Sequence, residues 1–318
     1  MRNRFFLLLA ALMVLAVVFL FVGSVKMAPQ ELLNSPIFWQ IRLPRIILSI
    51  LVGIMLATSG VILQGVLRNP LADPYILGVS AGAGIGAALV LSYKWYFTFL
   101  GMSSVPIFAF LFALVMVFIV YRLSNVGERS SAETLILAGV AVSSFASAVL
   151  ALIIIISGQM QSIYFWMLGS FSMATYSDIL TLLPYALIGV VMSYFYSKDL
   201  NALIIGEEMA YSMGVDVERV RMKMIIIATL MTAAAVSVSG LVGFVGLIIP
   251  HFVRLMIGQN YRYLVPFAAV SGALLMLVAD TAARTVLSPM EIPIGIIMAL
   301  IGAPFFVYVL KIKRTDNK

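Results

Sequence analysis

The sequence predicts an all-α integral membrane protein with about ten transmembrane helices. Three observations carry this. Of 318 residues, 63% are hydrophobic and only 10% are charged, against about 25% charged in a soluble domain. Mean hydropathy is +1.12. The apolar runs are continuous rather than alternating, as in helices and unlike outer-membrane strands. Helices of ~20 residues joined by short loops fit roughly ten spans into a single domain over residues 1–318. Cysteine is absent, which excludes disulfides, thiolate metal sites and cysteine nucleophiles. The net charge of +7 is what basic loops leave behind and does not argue for nucleic acid.

The elements follow in order. Arg2 and Arg4 precede an apolar run from Phe5 to Val22, longer than a usual signal-peptide core and without a small-x-small cleavage site, so it reads as a first span. Lys26 to Arg45 holds Pro29, Pro36 and Pro44 and reads as a short interfacial helix on the outer side. Ile46 to Leu67 is the second span, ended by Asn69-Pro70 and Asp73-Pro74, where each proline biases its predecessor away from helix. Leu77 to Leu91 is the third. Gly78, Gly82 and Gly86 recur every four residues there, which lets another helix approach closely. The same stretch mimics a nucleophile elbow and a loose dinucleotide fingerprint, but no strand precedes it. Val105 to Tyr121 is the fourth span and Leu135 to Ile156 the fifth. In the fifth, Ser143, Ser144 and Ser147 form a small polar stripe at helical spacing. Tight packing and the wall of a pathway both fit it. Tyr164, Phe165, Trp166, Phe171 and Tyr176 read as an interfacial aromatic belt. Ile179 to Tyr196 is the sixth span.

Met224 to Val253 contains no Lys, Arg, Asp or Glu. As one helix it would measure ~45 Å, against a hydrocarbon core of ~30 Å. Ser237 to Gly246 offers a place to turn back, giving a seventh and an eighth span joined by a tight outer turn. Leu264 to Thr281 is the ninth, and Ile294 to Leu310 the tenth. This count puts fifteen of the twenty basic residues on one side, Lys311, Lys313 and Arg314 among them, and five on the other, Lys26, Arg42, Arg45 and Arg284 among them. The positive-inside rule makes the rich side cytoplasmic, with both termini on it.

One polar island interrupts the pattern, Asn201 to Lys223. Glu207 and Glu208 suit a helix N-terminus. Met209 and Met213 share a face. Gly214 can end a helix in the left-handed conformation, and Asp216 can cap a second one with Val217, Val220 and Met224 on its apolar side. Two short helices at a sharp turn are expected. A solvated loop and a docking surface both fit the spacing.

Other chemistry is missing. There is no P-loop signature, so the chain carries no ATPase site of that kind. There is no metal-ligand spacing. Mid-span acids for ion coupling are sparse, which counts against a secondary carrier, and no partnered nucleophile supports a membrane enzyme. Asp280 lies at helical spacing from Arg284, where a local ion pair explains it. His251, the single histidine, fits a hydrogen-bonded structural residue better than a ligand or proton relay.

From Trp39 to Leu310 the chain resembles the FecCD-type permeases, the membrane subunits of ABC importers for iron-siderophores, haem and cobalamin. The resemblance rests on Ile41-Arg42-Leu43-Pro44-Arg45, on Gln64 with Asn69 to Pro74, and on Leu77 to Ser80. It continues through Leu137 to Val140, Gly206-Glu207 to Gly214, Gly243 to His251, Glu291 to Gly295, and Gly302-Ala303-Pro304. It implies a cobalamin-permease-like type II importer fold in a bacterial or archaeal plasma membrane. It implies a second permease copy or near-copy, two ATPase subunits that hold the ATP and magnesium, and an extracytoplasmic binding protein that delivers a metal chelate. No cofactor is implied for this chain itself. Coupling to the ATPase would fall to about residues 206–221, with Gly206, Glu207, Glu208, Met209, Ala210, Met213, Gly214, Val215 and Asp216. Arg42, Arg45 and Arg284 would meet the binding protein. The pathway would run past Ser143, Ser144 and Ser147 to a gate near Ala132 and Glu133, where Glu133 replaces the small hydroxyl residue the resemblance implies. An iron(III)-siderophore is the expected cargo, with cobalamin and haem as alternatives.

Overall fold

The computed structural model describes residues 1–23, 28–99, 101–124 and 132–315, and the side chains of these except 29 and 308–315. Lys26, Arg129, Lys318 and the side chains of Lys311, Lys313 and Arg314, used above for orientation, lie outside the described residues. The chain is almost entirely helical. In order come α1 Arg2–Phe21, α2 Pro29–Leu33, α3 Ile37–Val66, α4 Val79–Tyr93, α5 Ser104–Ser124, α6 Ala132–Ser157 and α7 Met160–Met167. Then follow α8 Tyr176–Phe195, α9 Ser197–Ile205, α10 Glu207–Ser212, α11 Val217–Ser239, α12 Val245–Ile257, α13 Tyr261–Thr285 and α14 Ile294–Thr315. A two-residue hairpin, Thr98–Phe99 with Met102–Ser103, sits before α5. Among the described residues, seven helices are long and apolar enough to cross a membrane, and α4, α12 and α14 supply three shorter apolar ones. The ten elements match the expected count.

Helix α3 is the axis. Its span is 83% buried, and α8, α11, α12 and α13 pack around it. Small residues make that possible. A Cβ added to Gly53 would lie 2.3 Å from the Gly272 carbonyl oxygen, and one on Gly60 would lie 2.1 Å from that of Gly246. Backbones touch at these crossings, where dispersion and close packing rather than hydrophobicity hold helices together in lipid. Gly82 and Gly86 play the expected part against α5, beside the carbonyls of Phe112 and Phe108. Gly78 does not. It closes a 3-10 turn, Pro74–Leu77, with φ +83°, and α4 begins after it.

Four expectations change. A short helix, α2, does form in the expected interfacial segment, but α3 starts at Ile37 with a six-residue π-turn, so Arg42 and Arg45 belong to the second span's helix rather than to a separate interfacial helix. Pro44 falls at the start of its regular part, where a missing N–H is tolerated. Phe171 is buried and leaves the aromatic belt to its exposed neighbours. The second short helix of the polar island is the first turns of α11, continuous with the seventh span; α9 was not expected.

The fourth change concerns the turn after α11. The chain breaks at Gly240–Phe244, and Gly246 then packs on Leu56 and Gly60, well inside α3. So α12 begins within the bundle rather than at its outer surface. At 13 residues it is ~20 Å long, too short to span. Irregular backbone at such depth must be buried in protein or line a cavity, with its polar groups paired. The Tyr75 hydroxyl donates to Val242 O at 2.9 Å and accepts from Val242 N–H at 3.0 Å. Ser170 N–H bonds Ser239 O, and the N–H groups of Ile294 and Gly295 bond the carbonyls of Gly169 and Leu168.

Candidate functional site

Three regions gather the residues singled out above. The first is one end of the bundle. Arg4 bonds Met256 O, Asn201 bonds Asn260, and Arg68 bonds Glu207, so α9, α10 and the adjoining ends of α1, α3, α12 and α13 share it. The turn is built as its residues dictate. Gly214 has φ +81°, and the N–H groups of Gly214 and Val215 bond the carbonyls of Tyr211 and Ala210, closing α10 in a left-handed cap. The Asp216 carboxylate accepts from Arg219 N–H at 3.1 Å and starts α11. Ala210 is buried, whereas Met209, Tyr211 and Met213 are exposed, Met213 by 62%. Glu208 is also exposed. Glu207 is not a free carboxylate. Its Oε1 lies 2.6 Å from Arg221 Nη2 and 3.0 Å from Arg68 Nη2. Arg221 is buried and also meets Glu218 at 3.3 Å. Thus one acid pins α10 to both α3 and α11. Neither arginine was singled out in the sequence, because nothing local marks them as its partners.

The second region is a cavity of about 630 Å³. Ser143, Ser144 and Ser147 form one wall; Asp73, Tyr75 and Ser80 form another; Gly243 and Phe244 of the broken segment complete it. The serine stripe therefore borders open space, although Ser144 also bonds its own helix at Val140 O. Ala132 and Glu133 stand at the start of α6, Ala132 half-buried and Glu133 exposed, and are not among the residues lining the cavity. Asp73, in the connector between α3 and α4, caps the 3-10 turn by accepting from Tyr75 N–H at 2.8 Å. Desolvation pushes its carboxyl up to about 6, opposed by that hydrogen bond.

The third region is the opposite end. Arg42, Arg45 and Arg284, expected to meet the binding protein, are 4%, 5% and 4% exposed in this chain, so they form a buried cluster rather than an open cationic surface. Arg45 grips Asp280 through Nε and Nη2 at 2.9–3.1 Å and Glu291 through Nη1 at 2.8 Å. Arg284 lies 3.8 Å from Asp280 and donates to Phe19 O, and Arg42 donates to Leu20 O. Three cations facing two anions can share one buried cluster because each guanidinium also finds a carbonyl or a fork of carboxylate oxygens. Asp280 does lie beside Arg284, but its tighter partner is Arg45.

A polytopic helical bundle with broken helices around an internal cavity and a short helix–turn–helix at one end defines a membrane permease. The chain belongs to the FecCD transport family, whose profile matches residues 8–312, and it is an ABC importer permease of that family. It is 42% identical over 86% of its length to the uncharacterised ABC transporter permease protein YvrB of Bacillus subtilis, covering 78% of it. It is 41% identical to the cobalamin import system permease protein BtuC of Halobacterium salinarum, over 85% of this chain and 72% of that one. The hemin transport system permease protein HmuU of Yersinia pestis is 35% identical over 98% of this chain and 96% of its own. A solved inward-facing structure of a metal-chelate type ABC transporter superposes with a TM-score of 0.87 at 35% identity, covering 98% of this chain and all of that one.

Proposed function

We propose that this chain carries an iron(III)-siderophore chelate across the plasma membrane, driven by ATP hydrolysis on partner ATPase subunits. The observation that carries the metal-chelate cargo is the cavity, and within that class its lining fits an uncharged siderophore chelate. The cavity is large, walled by hydroxyls, and among its lining residues has one carboxylate and no cation. A bulky, neutral or cationic ligand rich in hydrogen-bonding groups suits such a lining better than a polyanion does, since no guanidinium or ammonium offsets added negative charge. A second copy of the chain would close the open side of the cavity. The exposed Met209, Tyr211, Met213 and Glu208 would enter a cleft on the ATPase, placing that end in the cytoplasm together with both termini. A binding protein would load the opposite end.

Relatives named for cobalamin and hemin, at 41% and 35% identity, favour a second reading in which the cargo is one of those chelates. Proteoliposomes holding the permease, its ATPase and its binding protein decide between them. Uptake of labelled ferric siderophore, competed poorly by cobalamin or haem, is the expected result. Uptake of only cobalamin or haem would overturn the first choice, and no ATP-dependent uptake of any chelate would overturn the reading. Orientation is checked with single cysteines. One at Ser212 should label only from the cytoplasm, and one at Ser288 only from outside.

A further inference from the structure

A second cavity, of about 380 Å³, opens at the α10 end between α3, α9, α12 and the start of α13. It plays no part in the transport reading. Gln64, Arg68, His251, Arg254, Gln259 and Tyr261 line it, with the exposed Leu255 beside them.

On its inner side, around Arg254 and Tyr261, donors prevail. Gln64 is buried and engaged at both ends of its amide: the nitrogen donates to Gly246 O, and the oxygen accepts from Arg254. That neutral amide is the only hydrogen-bond acceptor Arg254 has among the described residues, and no carboxylate lies within ion-pair range. Tyr261 is 0% exposed. Its hydroxyl lies close to the Arg254 guanidinium but makes no well-formed hydrogen bond. A guanidinium has no acceptor to offer, so the O–H of Tyr261 stays without a target even beside Arg254. A buried donor in that position needs an acceptor from elsewhere. Arg68 stands at the mouth, half-exposed, with its other contact on Glu207. The pocket therefore presents guanidinium N–H groups and one hydroxyl on its inner side, where the Gln64 amide oxygen is engaged by Arg254, while the exposed Gln259 amide and His251 complete its polar lining. The α12 face beside the rim is apolar and open, with Leu255 72% exposed and Phe252 and Met256 also exposed.

We propose that this pocket binds a phosphate group, held by Arg254 and Tyr261 inside and by Arg68 at the mouth. Guanidinium forks match phosphate oxygens bidentately. Basic pockets between transmembrane helices at the positively charged end are where anionic lipid headgroups settle, and the apolar rim gives an acyl chain a surface. A lipid phosphodiester and free phosphate share this chemistry. A bound phosphate would also compete with Glu207 for Arg68, which places the pocket next to the α10 turn without depending on the transport reading.

The test uses the full chain in nanodiscs of phosphatidylcholine alone or with phosphatidylglycerol, and in detergent with inorganic phosphate. Retained lipid is read by native mass spectrometry and stability by unfolding temperature. Phosphatidylglycerol should stay bound and raise the unfolding temperature. Tyr261→Phe, which removes only the hydroxyl, should weaken retention roughly tenfold, as losing one hydrogen bond to a charged group does. Arg254→Gln should abolish it, and Arg122→Gln, at a basic residue outside the pocket, should change nothing. If inorganic phosphate stabilises the chain equally and displaces the lipid, the site stands with free phosphate as its ligand. Retention unchanged in both Tyr261→Phe and Arg254→Gln would overturn the proposal, as would neither probe binding. A cross-link showing an ATPase carboxylate seated on Arg254 in the assembled complex, with no phosphate present, would overturn it too.

Discussion

Glu207→Gln isolates the role of the one acid that pins α10 to the bundle. The substitution keeps shape and removes charge. Removing one partner of a fully buried ion pair costs ~3–5 kcal/mol. Here the loss is smaller on two counts: the Glu207 side chain is 33% exposed, and Arg221 keeps Glu218 at 3.3 Å. The Arg68 arm is half-exposed and adds only ~0–1 kcal/mol. About 1–3 kcal/mol remains, enough to raise the undocked population of α10 by roughly 5- to 150-fold. The core of α3 and α11 is untouched, so the chain should insert and fold normally. Amide exchange should quicken through Glu207–Ser212 while α11 beyond Met224 stays protected. In proteoliposomes with the ATPase, chelate uptake per ATP should fall severalfold or more. Arg68→Gln alone should do much less. Unchanged exchange together with a wild-type uptake-to-ATP ratio in Glu207→Gln would refute the pinning role.

Three further outcomes follow from the same geometry. Gly214→Val meets open space, so only its left-handed φ is at stake, ~1–2 kcal/mol; coupling should drop while expression stays normal, and full coupling would show the turn to be permissive. Gly60→Leu drives a side chain into the Gly246 carbonyl; little folded protein, or an unfolding temperature lowered by many degrees, is expected by size-exclusion and thermal assays. Asp73→Asn keeps the cap on Tyr75 and removes a carboxyl held at about 6 by burial. The native state binds a proton that the unfolded chain releases near its ordinary value of about 4, so wild-type stability should fall as pH rises from about 4 to about 6 and then level. Melting curves of the variant should lack that component of the slope; identical pH profiles would disprove it.

The spans were legible because lipid demands long apolar runs, and the Gly214–Asp216 punctuation was legible because caps are local. Arg219, Arg221 and Lys223 hid the continuity of α11, since three basic residues resemble a loop. Arg221 is instead neutralised by Glu207 and Glu218, and a pairing across the Gly214 turn leaves no periodic trace. Arg42 and Arg45 read as surface cations for the same reason: the acids that pair with Arg45 lie 235 and 246 positions away. The clamp of Tyr75 on Val242 spans 167 residues. The glycine and serine content near Ser237–Gly246 marked a break correctly, but its depth depends on the packing of Gly246 against α3.

The cavity and the α10 turn are physically continuous through one element. Helix α11 runs unbroken for 23 residues, ~34 Å. It begins at the Asp216 cap and ends at Ser239, directly before the segment that brings Gly243 and Phe244 to the cavity. Its middle is buried against α3 and α8, so it is braced to move as a rod. Just beyond its far end Val242 is held to Tyr75 by both backbone groups, and Tyr75 and Asp73 form the cavity wall that faces the α6 serines. A tilt of α11 imposed at Glu207 and Arg221 would therefore reach the Gly243–Phe244 side of the cavity and the Asp73–Tyr75 wall together. Were α10 joined to the bundle only by its peptide link, the same tilt would be lost in the Gly214 turn; on the proposed function, removing the charge on Glu207 is therefore expected to affect coupling more than folding.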